Sequence, residues 1–161
     1  NGNDLLAMTD AREVIDLPDI AAMHAYGARI ARHLRPGDVV ALSGDLGVGK
    51  TTLVRAIILA LGHDAEVPSP TFTIVEPYDN LSPPIIHADF YRLKHPGEAE
   101  EIGLDDYREG AALLAEWPDR AGGFAHEPQC LVINLQFIGK KGEDGRKAIV
   151  EPGAAWLGRV P

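Results

Sequence analysis

The sequence has few of the features that mark disulfide-rich, zinc-binding or membrane-spanning proteins. Its 161 residues include one cysteine, Cys130, which lies in an apolar run. A disulfide framework is therefore excluded, and we expect Cys130 to be a core residue in a reducing compartment. The six histidines are scattered, and none forms a close His/Cys pair of the type that binds zinc. No apolar run approaches the roughly 20 residues that a membrane span requires.

Positive charge is also scarce, because 15 lysines and arginines face 24 acidic residues and the net charge is −9. Stand-alone nucleic-acid binding needs a basic face, so we expect any nucleic acid to be contacted only through a partner. No signal-peptide pattern is visible, and we expect a cytoplasmic protein. The length and the 45% hydrophobic content predict a single globular domain over residues 1–161.

The most informative stretch is a glycine-rich sequence with the pattern G-x-x-x-x-G-K-T. A β-branched run at residues 39–43 precedes it and predicts a buried strand, and residues 52–61 predict a helix that Gly62 ends. Strand, loop and helix in this order are the context of a phosphate-binding loop. The predicted nucleotide-binding residues of the loop are Gly44, Asp45, Leu46, Gly47, Val48, Gly49, Lys50, Thr51 and Thr52.

The residue types in the loop suit the chemistry of phosphate binding. Glycines permit a close approach of the backbone to phosphate, and the N–H groups at the start of the helix bind an anion. We expect Lys50 to contact the β- and γ-phosphates of a nucleotide and the Thr51 hydroxyl to coordinate Mg²⁺.

Strands and helices alternate along the rest of the chain, which predicts an α/β fold. We expect one P-loop nucleotide hydrolase domain of three layers, with a mostly parallel central sheet and an antiparallel C-terminal edge hairpin. Residues 111–115 are compatible with helix or strand, and Asp19 is a predicted helix N-cap. The other predicted strands are residues 13–17, 71–75 and 85–91 and the hairpin 131–138 with 147–150, and the other predicted helices are 20–34 and 96–102.

A phosphate-binding loop also needs a carboxylate at the end of a neighbouring strand to hold Mg²⁺, directly or through water. Asp89 closes the run Ile85-Ile86-His87-Ala88 and Glu116 closes residues 111–115, and the pattern alone does not rank them. Residues 69–73 lie where a switch segment would follow, so the Thr71 hydroxyl is a candidate sensor of the γ-phosphate. The same proline-containing segment also fits a simple turn into a strand.

Four motifs together resemble one family. They are Gly44 to Thr51, then Ser-Pro-Thr-Phe-Thr at 69–73, His87-x-Asp89 followed by Tyr91 and Arg92, and Glu116-Trp117-Pro118. Their order and spacing are similar to those of the TsaE family, formerly YjeE, the ATPase of bacterial tRNA threonylcarbamoyladenosine biosynthesis. The resemblance covers about residues 17–118, and the C-terminal hairpin resembles the family only loosely.

This resemblance implies a role and a division of labour. The family's ATPase binds ATP and Mg²⁺, hydrolyses ATP slowly and supports a ligase of TsaB and TsaD, which modifies the adenosine beside the anticodon of tRNA. It implies that Thr51 and Glu116 bind the metal, that Asp89 positions or activates the attacking water, and that Lys50 serves catalysis. It places the adenine near residues 19–23.

Two other functions compete with this interpretation. A small-molecule P-loop kinase usually carries an arginine-rich lid, whereas Arg92, Arg108 and Arg120 are single and well separated here. A GTP-dependent switch would carry an N-K-x-D or T-K-x-D guanine signature, which this sequence lacks.

Overall fold

A computed structural model describes residues 12–64, 66–67, 74–140 and 143–161. These residues form seven strands, four α-helices and two short 3-10 turns. The strands are β1 (Glu13–Leu17), β2 (Val39–Ser43), β3 (Val75–Tyr78), β4 (Ile85–Asp89), β5 (Ala112–Glu116), β6 (Cys130–Phe137) and β7 (Arg146–Pro152). The helices are α1 (Ile20–His33), α2 (Lys50–Ala60), α3 (Gly97–Glu101) and α4 (Leu104–Arg108).

All seven described strands join one mixed sheet in the order β1-β7-β6-β2-β5-β4-β3. The central strands β6, β2, β5 and β4 are mutually parallel. The pairings β1–β7, β7–β6 and β3–β4 are antiparallel. The α/β class is confirmed, but half of the pairings are antiparallel, so the expectation of a mostly parallel sheet is wrong in that respect.

The C-terminal hairpin β6–β7 is antiparallel as predicted, but it does not lie at an edge. β6 pairs with β2, and β1 returns from the start of the described chain to cover β7. The edges of the sheet are β1 and β3. The prediction failed because a hairpin pattern defines which strands pair with each other and contains nothing about a distant strand that covers them.

Several predicted boundaries need correction. Residues 71–73 of the strand predicted at 71–75 lie outside the described residues. The strand β3 begins at Val75 and continues to Tyr78 through Pro77, which an edge strand tolerates. The strand predicted to reach residue 91 ends at Asp89, because the Asp89 side chain accepts a hydrogen bond from the Tyr91 N–H and turns the backbone. The segment predicted at 111–115 as helix or strand is a strand, and it runs from Ala112 to Glu116.

The sheet buries both faces. On one face, strand residues such as Val40, Leu42 and Leu114 pack with α1 and α2. On the other face, Val39, Leu113 and their neighbours pack with apolar residues of α3 and α4 and with Phe124. Alternation along the strands places His87, Asp89 and Glu116 on the same face as α2, since their sequence positions have the parity of Ile85 and Leu114.

Asp19 caps α1 as predicted, since its carboxylate accepts a 2.8 Å hydrogen bond from the Ala22 N–H.

Helices α1 and α2 pack closely at Gly27. A Cβ atom added to Gly27 would lie 2.5 Å from the Cβ of Ala56 and 3.1 Å from the backbone of Ile57. The absence of a side chain therefore sets the separation of the two helices.

We expect Gly27→Ala to lower the free energy of unfolding in urea. Overpacking typically costs about 1–3 kcal/mol, which offsets the roughly 1 kcal/mol of helix propensity that alanine gains over glycine. The control is Gly27→Ala combined with Ala56→Gly, which moves the methyl group from one helix to the other and should recover most of the loss. A Gly27→Ala protein as stable as the parent would contradict this account of the helix contact.

Candidate functional site

The carboxyl ends of three neighbouring parallel strands form the floor of the site. The register pairs Leu42 of β2 with Glu116 of β5, and Glu116 with Asp89 of β4. Ligands of α/β proteins bind at this end of parallel strands. Because β5 lies directly beside β2 and β4 lies one strand further away, the two acidic residues sit at different distances from the loop that follows β2.

That loop, residues 44–49, connects β2 to the first residue of α2. Gly44, Gly47 and Gly49 all have positive φ angles, of 136°, 79° and 114°. A Cβ on Gly44 would lie 2.4 Å from the carbonyl oxygen of Leu135, so the loop is packed against β6 on that side. A Cβ on Gly47 would contact nothing within 4 Å, so this part of the loop borders open space.

Lys50 is buried beneath the loop, with its ammonium group held by the loop's own carbonyls. Its Nζ donates hydrogen bonds of 2.6 Å to Gly44 O and 3.0 Å to Asp45 O. The same atom lies 4.2 Å from the centre of the Trp117 ring, a cation–π contact. Burial lowers the pKa of Lys50, and the nearby carboxylates of Glu116, Asp89 and Asp45 oppose that shift.

Trp117, which contacts Lys50, has an unusual backbone conformation. Its φ and ψ angles are 54° and 52°, the left-handed region that non-glycine residues rarely adopt. Its ring lies 4.9 Å from that of Tyr91, and Pro118 continues the chain into a 3-10 turn. The strained turn thus directs the indole toward Lys50 at the end of β5.

A hydrogen-bonded chain of three side chains crosses from α2 to β4. The Thr51 hydroxyl donates to Glu116 Oε1 at 2.7 Å, and His87 Nε2 lies 2.6 Å from Glu116 Oε2. Glu116 is 2% exposed and His87 is fully buried. Of the two carboxylates that the sequence pattern left unranked, Glu116 is the one hydrogen-bonded to Thr51, whereas Asp89 accepts from the Tyr91 N–H.

Asp89 lies at the same end of the sheet but is only partly buried. Its hydrogen bond from the Tyr91 N–H measures 3.0 Å. Burial is the largest cause that raises its pKa, and the neighbouring Glu116 carboxylate adds to the effect, while the Tyr91 hydrogen bond, His87 and Lys50 oppose it. A carboxylate with a raised pKa is a better proton acceptor than an ordinary surface aspartate.

A cavity of about 320 Å³ brings most of the predicted site residues together. It is lined by Leu46, Gly47, Gly49, Lys50, Thr51, Thr52, Asp89, Glu116 and Trp117. Gly44 and Asp45 contribute the carbonyls that hold Lys50, and Val48 is fully buried. The predicted γ-phosphate sensor Thr71, with the rest of residues 69–73, lies outside the described residues.

A second cavity, of about 260 Å³, adjoins the first along Gly47, Gly49 and Thr52. Asp19, Ile20 and Met23 of the α1 region line one side, and Asp144 and Arg146 of the C-terminal hairpin line the other. Arg146 also donates a 2.9 Å hydrogen bond to Val48 O in the loop. Sequence reasoning missed Arg146, because a charged residue near a hairpin turn carries no sign of the distant loop that it contacts.

The side-chain atoms of this site that could bind a metal ion are mainly oxygens. Thr51 Oγ1 and Glu116 Oε1 lie together at the mouth of the loop, and both are hard donors of the kind Mg²⁺ prefers. In the described part of the chain, no cluster of three or more His, Cys, Asp or Glu side chains is arranged to hold a metal ion. The donor set fits a metal that takes one or two protein oxygens and completes its shell with phosphate and water.

We expect Asp89→Asn to raise the free energy of unfolding at pH 7. A carboxyl group whose pKa is raised by folding is more costly when ionised, so the penalty is present at neutral pH and fades as pH falls through that pKa. The asparagine oxygen can still accept from Tyr91. Urea unfolding at pH 7 and near pH 4 should therefore show a gain that shrinks in acid, while Asp64→Asn, at an exposed position, should show neither. A stability difference between Asp89→Asn and the parent that does not change with pH would contradict a raised pKa for the Asp89 carboxyl group.

Comparisons with known proteins agree on one family. The family model described as "Threonylcarbamoyl adenosine biosynthesis protein TsaE" matches residues 17–148. The match extends beyond residue 118 to include β6 and the start of β7, further than the sequence motifs indicated. Among the described residues, no helix is long and apolar enough to cross a membrane.

Individual relatives carry the same name. The tRNA threonylcarbamoyladenosine biosynthesis protein TsaE of Haemophilus influenzae is 38% identical over 127 residues, which cover 75% of this chain and 80% of that protein. The Bacillus subtilis protein of that name is 39% identical over 122 residues, covering 74% and 72%. The crystal structure of Bacillus subtilis YdiB matches with a TM-score of 0.74 at 27% identity, over 92% of this chain and 90% of that one. The chain therefore belongs to the TsaE family of threonylcarbamoyladenosine biosynthesis proteins.

Proposed function

We propose that this protein is a P-loop ATPase that binds ATP with Mg²⁺, hydrolyses it slowly and supports a TsaB–TsaD ligase in forming threonylcarbamoyladenosine beside the anticodon of tRNA. The observation that carries the proposal is the hydrogen bond between Thr51, at the start of α2, and Glu116, at the end of β5. It brings the two oxygen ligands expected of a phosphate-binding site to one point beside Lys50.

The phosphates would lie in the cavity of about 320 Å³, in front of the N-terminus of α2. Helix N-termini attract anions through their free N–H groups and the helix dipole. The positive φ angles of Gly47 and Gly49 orient the loop so that no side chain blocks this approach. Lys50 Nζ, at the back of the cavity, supplies a positive charge for the terminal phosphates.

The nucleoside would extend into the adjoining cavity of about 260 Å³. Met23 offers an adaptable apolar surface for the flat face of a base. Ile20 adds apolar area beside it, and Asp144 supplies a hydrogen-bond acceptor on the hairpin side. Asp19, Ile20 and Met23 line this cavity, and the family resemblance implies an adenine near residues 19–23, so the two agree in support of this position.

Mg²⁺, when bound with ATP, would neutralise phosphate charge and orient the terminal phosphate. Thr51 Oγ1 would be one ligand, and Glu116 would hold the ion directly or through a water molecule. Asp89 would accept a hydrogen bond, and then the proton, from the attacking water. Its raised pKa and its position across the cavity from the loop favour that role.

Weak turnover of the isolated protein is part of the proposal. None of the described residues lining the 320 Å³ cavity is an arginine. An arginine that stabilises transition-state charge is worth about 10³–10⁵ in rate in the phosphoryl-transfer enzymes that use one. Useful hydrolysis would then occur within the complex, and the net charge of −9 agrees with contact to tRNA only through the partners.

Replacement of Lys50 by alanine should weaken ATP binding at least about tenfold, since a charge-assisted contact is worth roughly 1.5–3 kcal/mol. The measurement is titration calorimetry with ATP and Mg²⁺. Lys94→Ala removes an exposed lysine of the same charge and should leave the affinity unchanged. Equal affinities for the parent and Lys50→Ala would refute the assignment of the loop to phosphate binding.

The pathway assignment is tested with purified components. TsaB, TsaD, tRNA, threonylcarbamoyl-adenylate and ATP are mixed with and without this protein, and modified tRNA is counted per ligase complex. We expect several turnovers only when the protein is present with Asp89 and Lys50 intact, because hydrolysis is proposed to restore the ligase. Unchanged multiple-turnover modification without the protein would exclude this role, even if ATP binding is demonstrated.

A further inference from the structure

His87 is a buried polar residue that the proposed ATPase chemistry does not use directly. It lies in the middle of β4 with no exposed surface. Its Nδ1 atom has no hydrogen-bond partner among the described residues, so Nε2 makes the ring's one polar contact within that part of the chain. Burying a polar ring with one nitrogen unsatisfied carries a cost that an apolar side chain would avoid. The contact that Nε2 makes must therefore account for a histidine, rather than an apolar residue, at this buried position.

The contact at Nε2 supplies that explanation. It lies 2.6 Å from Glu116 Oε2, and a carboxylate oxygen is an acceptor, so the ring nitrogen carries the proton and donates it. The other oxygen, Oε1, accepts from the Thr51 hydroxyl at 2.7 Å. Both oxygens of Glu116 are thus held, one from β4 and one from α2, and rotation of the carboxylate plane is restricted.

The arrangement also orients Thr51. A hydroxyl that donates its hydrogen to Glu116 must direct its lone pairs elsewhere, and the neighbouring open space is the cavity that contains Lys50 and Asp89. If Glu116 could rotate freely, the Thr51 hydroxyl would lose its acceptor and with it this preferred direction. The His87 contact therefore acts on the cavity through two successive hydrogen bonds.

We propose that His87 is a positioning residue for the metal site: its Nε2–H fixes Glu116, which in turn orients the Thr51 hydroxyl toward a divalent cation. The inference rests on the proposed Mg²⁺–ATP function, and His87 itself does not line the cavity in which the ion and the phosphates would lie. Outer hydrogen-bond partners of this kind affect metal affinity about 10–100-fold in proteins where they have been replaced.

The test is calorimetric titration of the full chain with a non-hydrolysable ATP analogue, in EDTA and over a series of Mg²⁺ concentrations. His87→Leu removes the donor while keeping an apolar side chain of similar size. We expect it to lower the apparent Mg²⁺ affinity about tenfold and to leave binding in EDTA unchanged. His87→Gln can place its amide nitrogen near the position of Nε2 and should restore most of the Mg²⁺ affinity, while His126→Leu, at an exposed position, should behave like the parent.

The result separates this inference from the function on which it rests. If the parent shows no Mg²⁺-dependent binding and Glu116→Ala changes nothing, the proposed function fails. If the parent and Glu116→Ala behave as proposed but His87→Leu keeps the parental Mg²⁺ dependence, the positioning role alone fails. Equal losses in His87→Gln and His87→Leu would also overturn it, because a merely structural role predicts no rescue by the conservative variant.

A spectroscopic measurement covers the case in which the His87 variants do not fold. A long-range ¹H–¹⁵N spectrum of the parent should show His87 protonated at Nε2, and Glu116→Gln should shift that ring signal. An unprotonated Nε2, or a ring signal insensitive to Glu116→Gln, would overturn the proposal.

Discussion

The hydrogen bond between Thr51 and Glu116 is the contact on which the geometry of the site depends. It spans 65 positions of sequence and joins the first turn of α2 to the last residue of β5. It forms because β5 pairs directly with β2. The last residue of β5 therefore lies beside the loop and the helix that follow β2. A different strand in the place of β5 beside β2 would leave Thr51 without this acceptor and Glu116 without this donor.

Assembling that point requires the burial of polar and charged groups. Lys50, His87 and Glu116 are all buried. Two of these groups are fully compensated locally: the ammonium group by two backbone carbonyls, and the carboxylate by Thr51 and His87. His87 is compensated only at Nε2, since its Nδ1 has no partner among the described residues. Such groups are expensive to bury unless they are hydrogen-bonded, so a replacement that leaves a partner unsatisfied should destabilise the protein as well as alter the site.

Local strain accompanies this arrangement at Trp117. A non-glycine residue in a left-handed conformation costs about 1–3 kcal/mol, and here the residue's ring contacts Lys50 and Tyr91. Backbone strain of this kind persists where surrounding contacts fix it, and it concentrates at functional sites. The neighbouring proline and the buried strand before it supply that support in this fold.

The C-terminal part of the chain is integral to the site rather than peripheral. β6 lies directly against β2, and Arg146 of β7 donates to Val48 O in the loop. Further along, the Arg159 guanidinium makes buried hydrogen bonds of 2.8 and 2.7 Å to the two carboxylate oxygens of Asp38, in the turn before β2. The C-terminal segment therefore contacts β2 and the adjoining loop on one side, while β5 contributes the Glu116 carboxylate on the other side.

Sequence patterns predicted the features that depend on residues close together in the chain. Residue type and short-range periodicity predict the glycines and Lys50 of the loop, the strand before it and the helix cap at Asp19. Four features are visible only in the fold. Thr51 bonds to Glu116, His87 contacts the same carboxylate, Arg146 donates to the loop, and the hairpin lies inside the sheet. Strand order sets these contacts over long sequence separations. It results from the packing of all the apolar faces together, which no local pattern contains.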